Sequence, residues 1–387
     1  MFSRRTNWNL SPNRLSQALA RRLAAGSPVC DLTASNPTQC SFSCDREAIL
    51  RAFSAPAALA YDPSPRGLLS ARSAVAEYYT SRGVALAPDD IFLTASTSEA
   101  YSFVFRCLCD PGDEILVPAP SYPLFGFLAD VLDVTLARYP LVYDDGWQID
   151  FKSLEQKLTA RSRAVIVVHP NNPTGHFCSS ADAARLNELC SARNLALVAD
   201  EVFLDFAHAG PPRASFAANS AVLTYTMSGL SKISGLPQMK LAWLVTSGPA
   251  HLKAESLQRM EIVADTFLSV GTPVQIAAPQ LLASREEFQS QVLSRIHSNL
   301  AALDARLAGQ SLCSRLDLEG GWYAVLRHPA TRPGEDLAIE LLETKGVHVH
   351  PGHFYDFPAE GYAVVSLITP EHDFSRGIDA LLSLFFV

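Results

Sequence analysis

The chain has 387 residues, 48% of them hydrophobic and 18% charged, enough apolar material for a sizeable core spread over two domains or one large domain with a smaller companion. A net charge of −8 provides no basic field of the kind that backbone-driven nucleic-acid binding requires, so nucleic acid is excluded as a partner. No segment stays apolar and uncharged for about 18 residues, and the arginine-bearing N-terminus lacks a signal-peptide core, so a soluble, cytoplasmic protein with no membrane partner is expected.

The first 40 or so residues carry irregular cysteines, Cys30 and Cys40 among them, and no Cys-x-x-Cys pair or Cys/His cluster follows, so reduced structural thiols and no metal site are expected. From about residue 90 short β-branched runs alternate with helical stretches, the pattern of an α/β domain on a mainly parallel, buried sheet. The runs end in loops where unusual residues collect, which is where open sheets of this kind bind ligands. The first run, IFLTAS, leads into TSEA: Ser96, Thr97 and Ser98 offer hydroxyls and backbone N–H groups to a phosphate, or serve as a plain helix cap. Next, EILVPAP leads into SYPLF, with Tyr122 held between prolines as a stacking surface or as core.

The run RAVIVV opens onto HPNNPTGHF, a proline-locked turn with two asparagines, Asn171 and Asn172. LALVADEVF then ends a buried strand on Asp200 and Glu201, where a carboxylate is costly unless a cation meets it, the plain alternative being a helix cap. AVLTYTMS runs into GLSK and Lys232. An amine in apolar surroundings with Lys240 nearby has the lowered pKa of a nucleophile towards aldehydes; the plain alternative is a solvated surface lysine. After Pro273 the pattern changes to a long helical region through residue 309, then GGWYAVLR, VHVHPGHF and YAVVSLIT, a smaller α+β domain. Residues 45–272 are thus the expected large domain, and 1–44 with 273–387 the small one.

One ligand accounts for these loops together: an aromatic aldehyde bearing a phosphate, a ring nitrogen that seeks an anion and a phenolic oxygen that seeks donors, which is pyridoxal 5′-phosphate. The ordered set DLTASNPT, YDPSPRGL, PSYP, NNPTG, DEVF, GLSK and HPGHF resembles the class I/II aminotransferases, the fold-type I pyridoxal-phosphate enzymes, over nearly the whole length. The resemblance implies an aspartate aminotransferase-like fold, with a mainly parallel sheet in a large cofactor domain. It implies transfer of an amino group between an L-amino acid and a 2-oxo acid, with Lys232 as the Schiff-base lysine and proton carrier. Asp200 would pair with the ring nitrogen, Asn172 donate to the phenolic oxygen and Tyr122 stack. Ser96, Thr97, Ser98, Ser231 and Lys240 would hold the phosphate, with Tyr61 reaching across a homodimer with shared active sites.

Four positions depart from the family pattern. Phe203 stands where a tyrosine commonly donates to the phenolic oxygen, which implies an altered Schiff-base acidity. Lys240 replaces an arginine, a point charge in place of a fork. Gly229 replaces a frequent serine. Val364 occupies the position of the arginine that usually anchors the substrate carboxylate, and an apolar side chain cannot offset a carboxylate's desolvation. The period of two sets Tyr323, Val325 and Arg327 on one strand face, so Asn172, Tyr323, Arg327 and Arg66 are the candidate substrate contacts, with surface arginines as the plain alternative. The missing anchor keeps a second reading open: a lyase, decarboxylase or biosynthetic cyclase on the same scaffold.

Overall fold

The computed structural model describes residues 1–385. A two-residue strand β1 (Cys30–Asp31) precedes the main body. The large sheet takes β2 (Ile91–Thr94), β3 (Glu114–Ala119), β4 (Thr135–Tyr143), β5 (Trp147–Ile149), β6 (Ser162–Val168), β7 (Ala196–Asp200), β8 (Thr224–Gly229) and β9 (Ala242–Ser247). Four short strands, β10 (Ser314–Arg315), β11 (Tyr323–Arg327), β13 (His350–Pro351) and β14 (Tyr362–Ser366), form a second, antiparallel sheet, while β12 (Val347–His348) pairs with β1.

The large sheet is eight-stranded in the order β2-β9-β8-β7-β6-β3-β4-β5. Its centre, from β4 through β3, β6 and β7 to β8, is parallel; β9 runs antiparallel between β8 and β2, and β5 antiparallel at the edge. The unbroken apolar runs follow from this: Ala164, Ile166 and Val168 of β6 pack into one layer of helices, Val165 and Val167 into the other, so neither face is solvated. From β3 the chain moves outward to β4 and β5, then returns to β6 and continues through β7 and β8 on the other side. The β3–β6 boundary is therefore the point where the winding reverses and the carboxyl ends of the strands open a crevice.

The small sheet has its own core, in which Trp322, Val325, Val364 and Phe374 pack with Leu15, Leu32 and Cys40 of the N-terminal region and with Phe203 and Phe206, which reach over from the loop after β7. The region read as one long helix is broken at Ser284 into helices Thr272–Ala283 and Arg285–Leu307. The first buries Val274, Ala277, Ala278 and Leu281 against helix Leu69–Thr80 under the large sheet, although it lies beyond residue 272, where the sequence reading ended the large domain. The second packs with the small sheet. Period-based reading cannot see this break, because both helices are amphipathic and only the partner of each apolar face differs. No helix among the described residues is long and apolar enough to cross a membrane.

Candidate active site

The carboxyl ends of β2, β3, β6, β7 and β8 converge on a cavity of about 260 Å³, closed on one side by Ser35 and Tyr323 from the small unit. Asp200, the last residue of β7, and Lys232, three residues beyond β8, both line it. Lys232 lies in the single turn Leu230–Ile233, where its Nζ donates to the Ser35 carbonyl at 3.0 Å and sits 4.7 Å from the centroid of the Trp322 ring and 5.6 Å from that of Phe203. The side chain is half-buried, because the cavity exposes it, yet protein surrounds the amine on its other sides and this desolvation pulls its pKa down to about 8. The cause is burial; the lysine at 240 does not contribute.

Asp200 is 9% exposed and accepts two hydrogen bonds, from the Tyr101 hydroxyl at 3.0 Å and from the Val202 N–H at 3.1 Å. Burial outweighs both and raises its pKa to about 6. Its neighbour Glu201 points the other way: its oxygens accept from the Ser215 hydroxyl and the Phe216 N–H, each at 2.6 Å, and burial raises its pKa to about 7. The paired acids thus divide, one lining the cavity and one capping an internal turn.

The doubled asparagine divides in the same way. Asn171 is 2% exposed and ties the crevice loops together, its Oδ1 accepting from Ser121 at 3.1 Å and its Nδ2 donating to the Pro120 carbonyl at 3.1 Å. Asn172 faces the cavity, and its buried Oδ1 has no partner in the protein. A buried amide oxygen left unpaired is costly, so a ligand group that donates a hydrogen bond is its natural partner. Tyr122, 45% exposed, lines the opposite wall.

At the far end, Ser96 opens helix Thr97–Leu108 with a reciprocal cap: its hydroxyl accepts from the Glu99 N–H at 3.2 Å, and the Glu99 carboxylate accepts from the Ala95 N–H at 2.6 Å. The Ser96 hydroxyl accepts in this cap and keeps its own O–H free, and it lines the cavity with Thr97, Ser98 and Ser231 around the helix N-terminus, a position suited to an anion. Gly229 lies where a Cβ would meet the Ala242 Cβ at 2.8 Å, so the close approach of β8 and β9 requires glycine there.

Four of the sequence candidates are not brought to this cavity. Tyr61 is 73% exposed and Lys240 is exposed in a left-handed turn. Arg66 is engaged elsewhere, paired with Glu261 at 2.6 Å and donating to the Asp89 carbonyl at 2.6 Å. Arg327 shares a strand with the cavity-lining Tyr323, but four residues at about 3.3 Å each put it roughly 13 Å along, at the exposed end of β11. Val364 is buried in the small core opposite Val325 and His350. Lys232 is the only cation among the described lining residues. Sequence reading missed Ser35, whose signal lay in the ASNPT stretch, and Tyr101, whose apolar context on a helix gave none.

The family of class I and II aminotransferases matches residues 27–371, and the chain belongs to it. The alanine aminotransferase of Mycobacterium bovis is 28% identical over 381 residues, covering 94% of this chain and 87% of that protein. The glutamate-pyruvate aminotransferase AlaA of Haemophilus influenzae is 28% identical over 271 residues, covering 69% and 67%. In structure, the alanine aminotransferase from Pyrococcus furiosus matches with a TM-score of 0.89 at 23% identity over 100% of both chains, and the aspartate aminotransferase from Thermotoga maritima with 0.84 at 20%, again over 100% of both. The fold is aspartate aminotransferase-like, fold type I, and the protein is an aminotransferase. These relatives do not favour the lyase, decarboxylase or cyclase reading.

Proposed function

We propose that this chain holds pyridoxal 5′-phosphate in the 260 Å³ cavity and moves an amino group between an L-amino acid and a 2-oxo acid. The observation that carries the reading is a desolvated amine, Lys232, and a buried carboxylate, Asp200, lining one cavity together with a helix N-terminus and an unpaired Asn172 amide. When bound, the cofactor supplies an aldehyde for the amino group and an aromatic ring that takes up electrons released at the substrate Cα.

The protein's own groups do the rest. Ser96, Thr97, Ser98 and Ser231, with the backbone N–H groups opening the helix, would hold the phosphate, Ser96 also capping that helix end; Lys240 would add charge from outside the cavity wall. Tyr122 would stack against the ring, the Asn172 amide N–H would donate to the phenolic oxygen, and Asp200 would keep a proton on the ring nitrogen. Lys232, uncharged in a larger fraction than a solvated lysine, would supply the amine that holds the aldehyde and the base that takes up the proton from Cα. Tyr323 and the Ser35 carbonyl flank the substrate side. Arg66 and Arg327, distant from this wall, are not part of the site we propose within one subunit.

We read residues 45–283 as the cofactor domain and 1–44 with 284–387 as the small domain, a division supported by the separate cores and the break at Ser284. A homodimer with shared active sites fits the exposed apolar residues Leu59, Tyr61, Leu69 and Ile262, with Tyr61 of one subunit reaching the phosphate of the other. Eight unpaired thiols suit the reducing cytoplasm.

Alanine with 2-oxoglutarate is the first pair to try, given the names of the relatives. Supplied with pyridoxal phosphate, the protein is expected to acquire visible absorbance, lose it on adding alanine, and regain it on adding the 2-oxo acid. A protein that binds the cofactor but releases ammonia or carbon dioxide without that cycle would overturn the reading.

A further inference from the structure

Tyr101 is not needed to close the cavity and does not line it, yet its hydroxyl lies 3.0 Å from Asp200 Oδ2. The residue is 3% exposed, and its ring packs edge-on against Phe125 at 5.4 Å, itself a cavity-lining residue, and against Phe105 at 6.0 Å. The two oxygens of Asp200 are thus engaged from the protein side, Oδ1 by the Val202 N–H and Oδ2 by Tyr101. Two donors fix the plane of a carboxylate as one cannot, and both favour its ionised form.

Tyr101 sits four residues after Thr97, about 6 Å along the same helix. One rigid element therefore carries both the N-terminus at the anion end of the cavity and the hydroxyl behind the carboxylate. Resting on the cofactor reading above, we propose that Tyr101 is a positioning residue: its hydroxyl holds Asp200 ionised and aimed at the ring nitrogen, and its helix sets the distance between that contact and the phosphate. The plain alternative is a buried tyrosine that uses Asp200 only to satisfy its own hydroxyl.

The two differ in what Tyr101→Phe does, since this change keeps the ring and its packing and removes only the donor. The test compares binding of pyridoxal phosphate with that of its 1-deaza analogue, in which a C–H replaces the ring nitrogen. The wild-type protein is expected to prefer pyridoxal phosphate, and the variant to lose about tenfold of that preference, the size of one hydrogen bond to a charged group. The amine half-reaction should fall by a similar factor in kcat, with KM held. Equal weakening of both ligands, or an unchanged preference, would overturn the proposal and leave Tyr101 as packing. Should the variant not fold, 3-fluorotyrosine at position 101, a stronger donor of nearly the same shape, is expected to keep or increase the preference; a decrease would overturn it. A wild-type protein that binds neither compound would remove the cofactor reading itself, a failure distinct from binding both without preference.

Discussion

Lys232 owes its lowered pKa to where its amine is buried, and the reactivity proposed for it rests on that shift. Because desolvation lowers the folded-state pKa to about 8 from 10.5, the folded protein holds fewer protons than the unfolded chain between these values, and stability from this group rises with pH across that window. The proposed reactivity follows the same shift. Covalent capture of pyridoxal phosphate, trapped with borohydride and located at Lys232 by mass, is expected to accelerate with a midpoint near pH 8; a midpoint near 10.5 would mean a solvated amine. Arg327 behaves oppositely. Exposed at the far end of β11, it should tolerate Arg327→Ala with the KM for the amino acid changed by no more than about twofold, as for other surface substitutions. A large rise in KM would return Arg327 to the substrate site.

At the scale of elements, the site is a set of strand ends. Gly229 terminates β8 against Ala242 of β9, and the pairing of these strands leaves no room for a side chain. Gly229→Ser is expected to destabilise the fold by about 1–3 kcal/mol, the usual cost of overpacking, and Ala242→Gly in the same chain to recover part of it. Thermal unfolding of the single and double variants measures both; additive losses would show that the two positions do not meet. The motifs at these strand ends were legible in sequence because buried parallel strands read as continuous apolar runs and the loops between them collect polar residues. What each polar residue does was less legible. Asn171 and Asn172 are the same residue type side by side, and Asp200 and Glu201 nearly so, yet in each pair one member binds the protein to itself and the other faces the cavity. Only the direction of each side chain, set by its backbone position and by the neighbouring loop, decides which.

At the scale of the whole molecule, Asp205 joins the two units. Its carboxylate, 4% exposed, pairs with Arg82, accepts from the Tyr78 hydroxyl at 3.1 Å, and accepts from Gln289 of helix Arg285–Leu307 at 2.9 Å. Asp205→Ala leaves the Arg82 guanidinium, itself 13% exposed, without that partner, and a loss of about 3–5 kcal/mol in denaturant unfolding is expected. A loss below about 1 kcal/mol would place this pair with the weak surface ones. The helical region after Pro273 belongs to this scale too. Its periodicity was readable, but its division at Ser284 between two cores was not, because an apolar stripe does not name the surface that covers it.

The sequence by itself determined the alternating α/β body, the order of its polar strand-end loops, and the aminotransferase family whose motifs those loops carry, since strand period, turn residues and residue type are local properties. The tertiary structure alone decided that Lys232 lies against Trp322 and the Ser35 carbonyl, that Tyr101 stands behind Asp200, and that Arg66 and Arg327 lie apart from the cavity. These are contacts between residues far apart in the chain. Desolvation and hydrogen bonding depend on what the fold brings within a few ångströms, which no single segment contains.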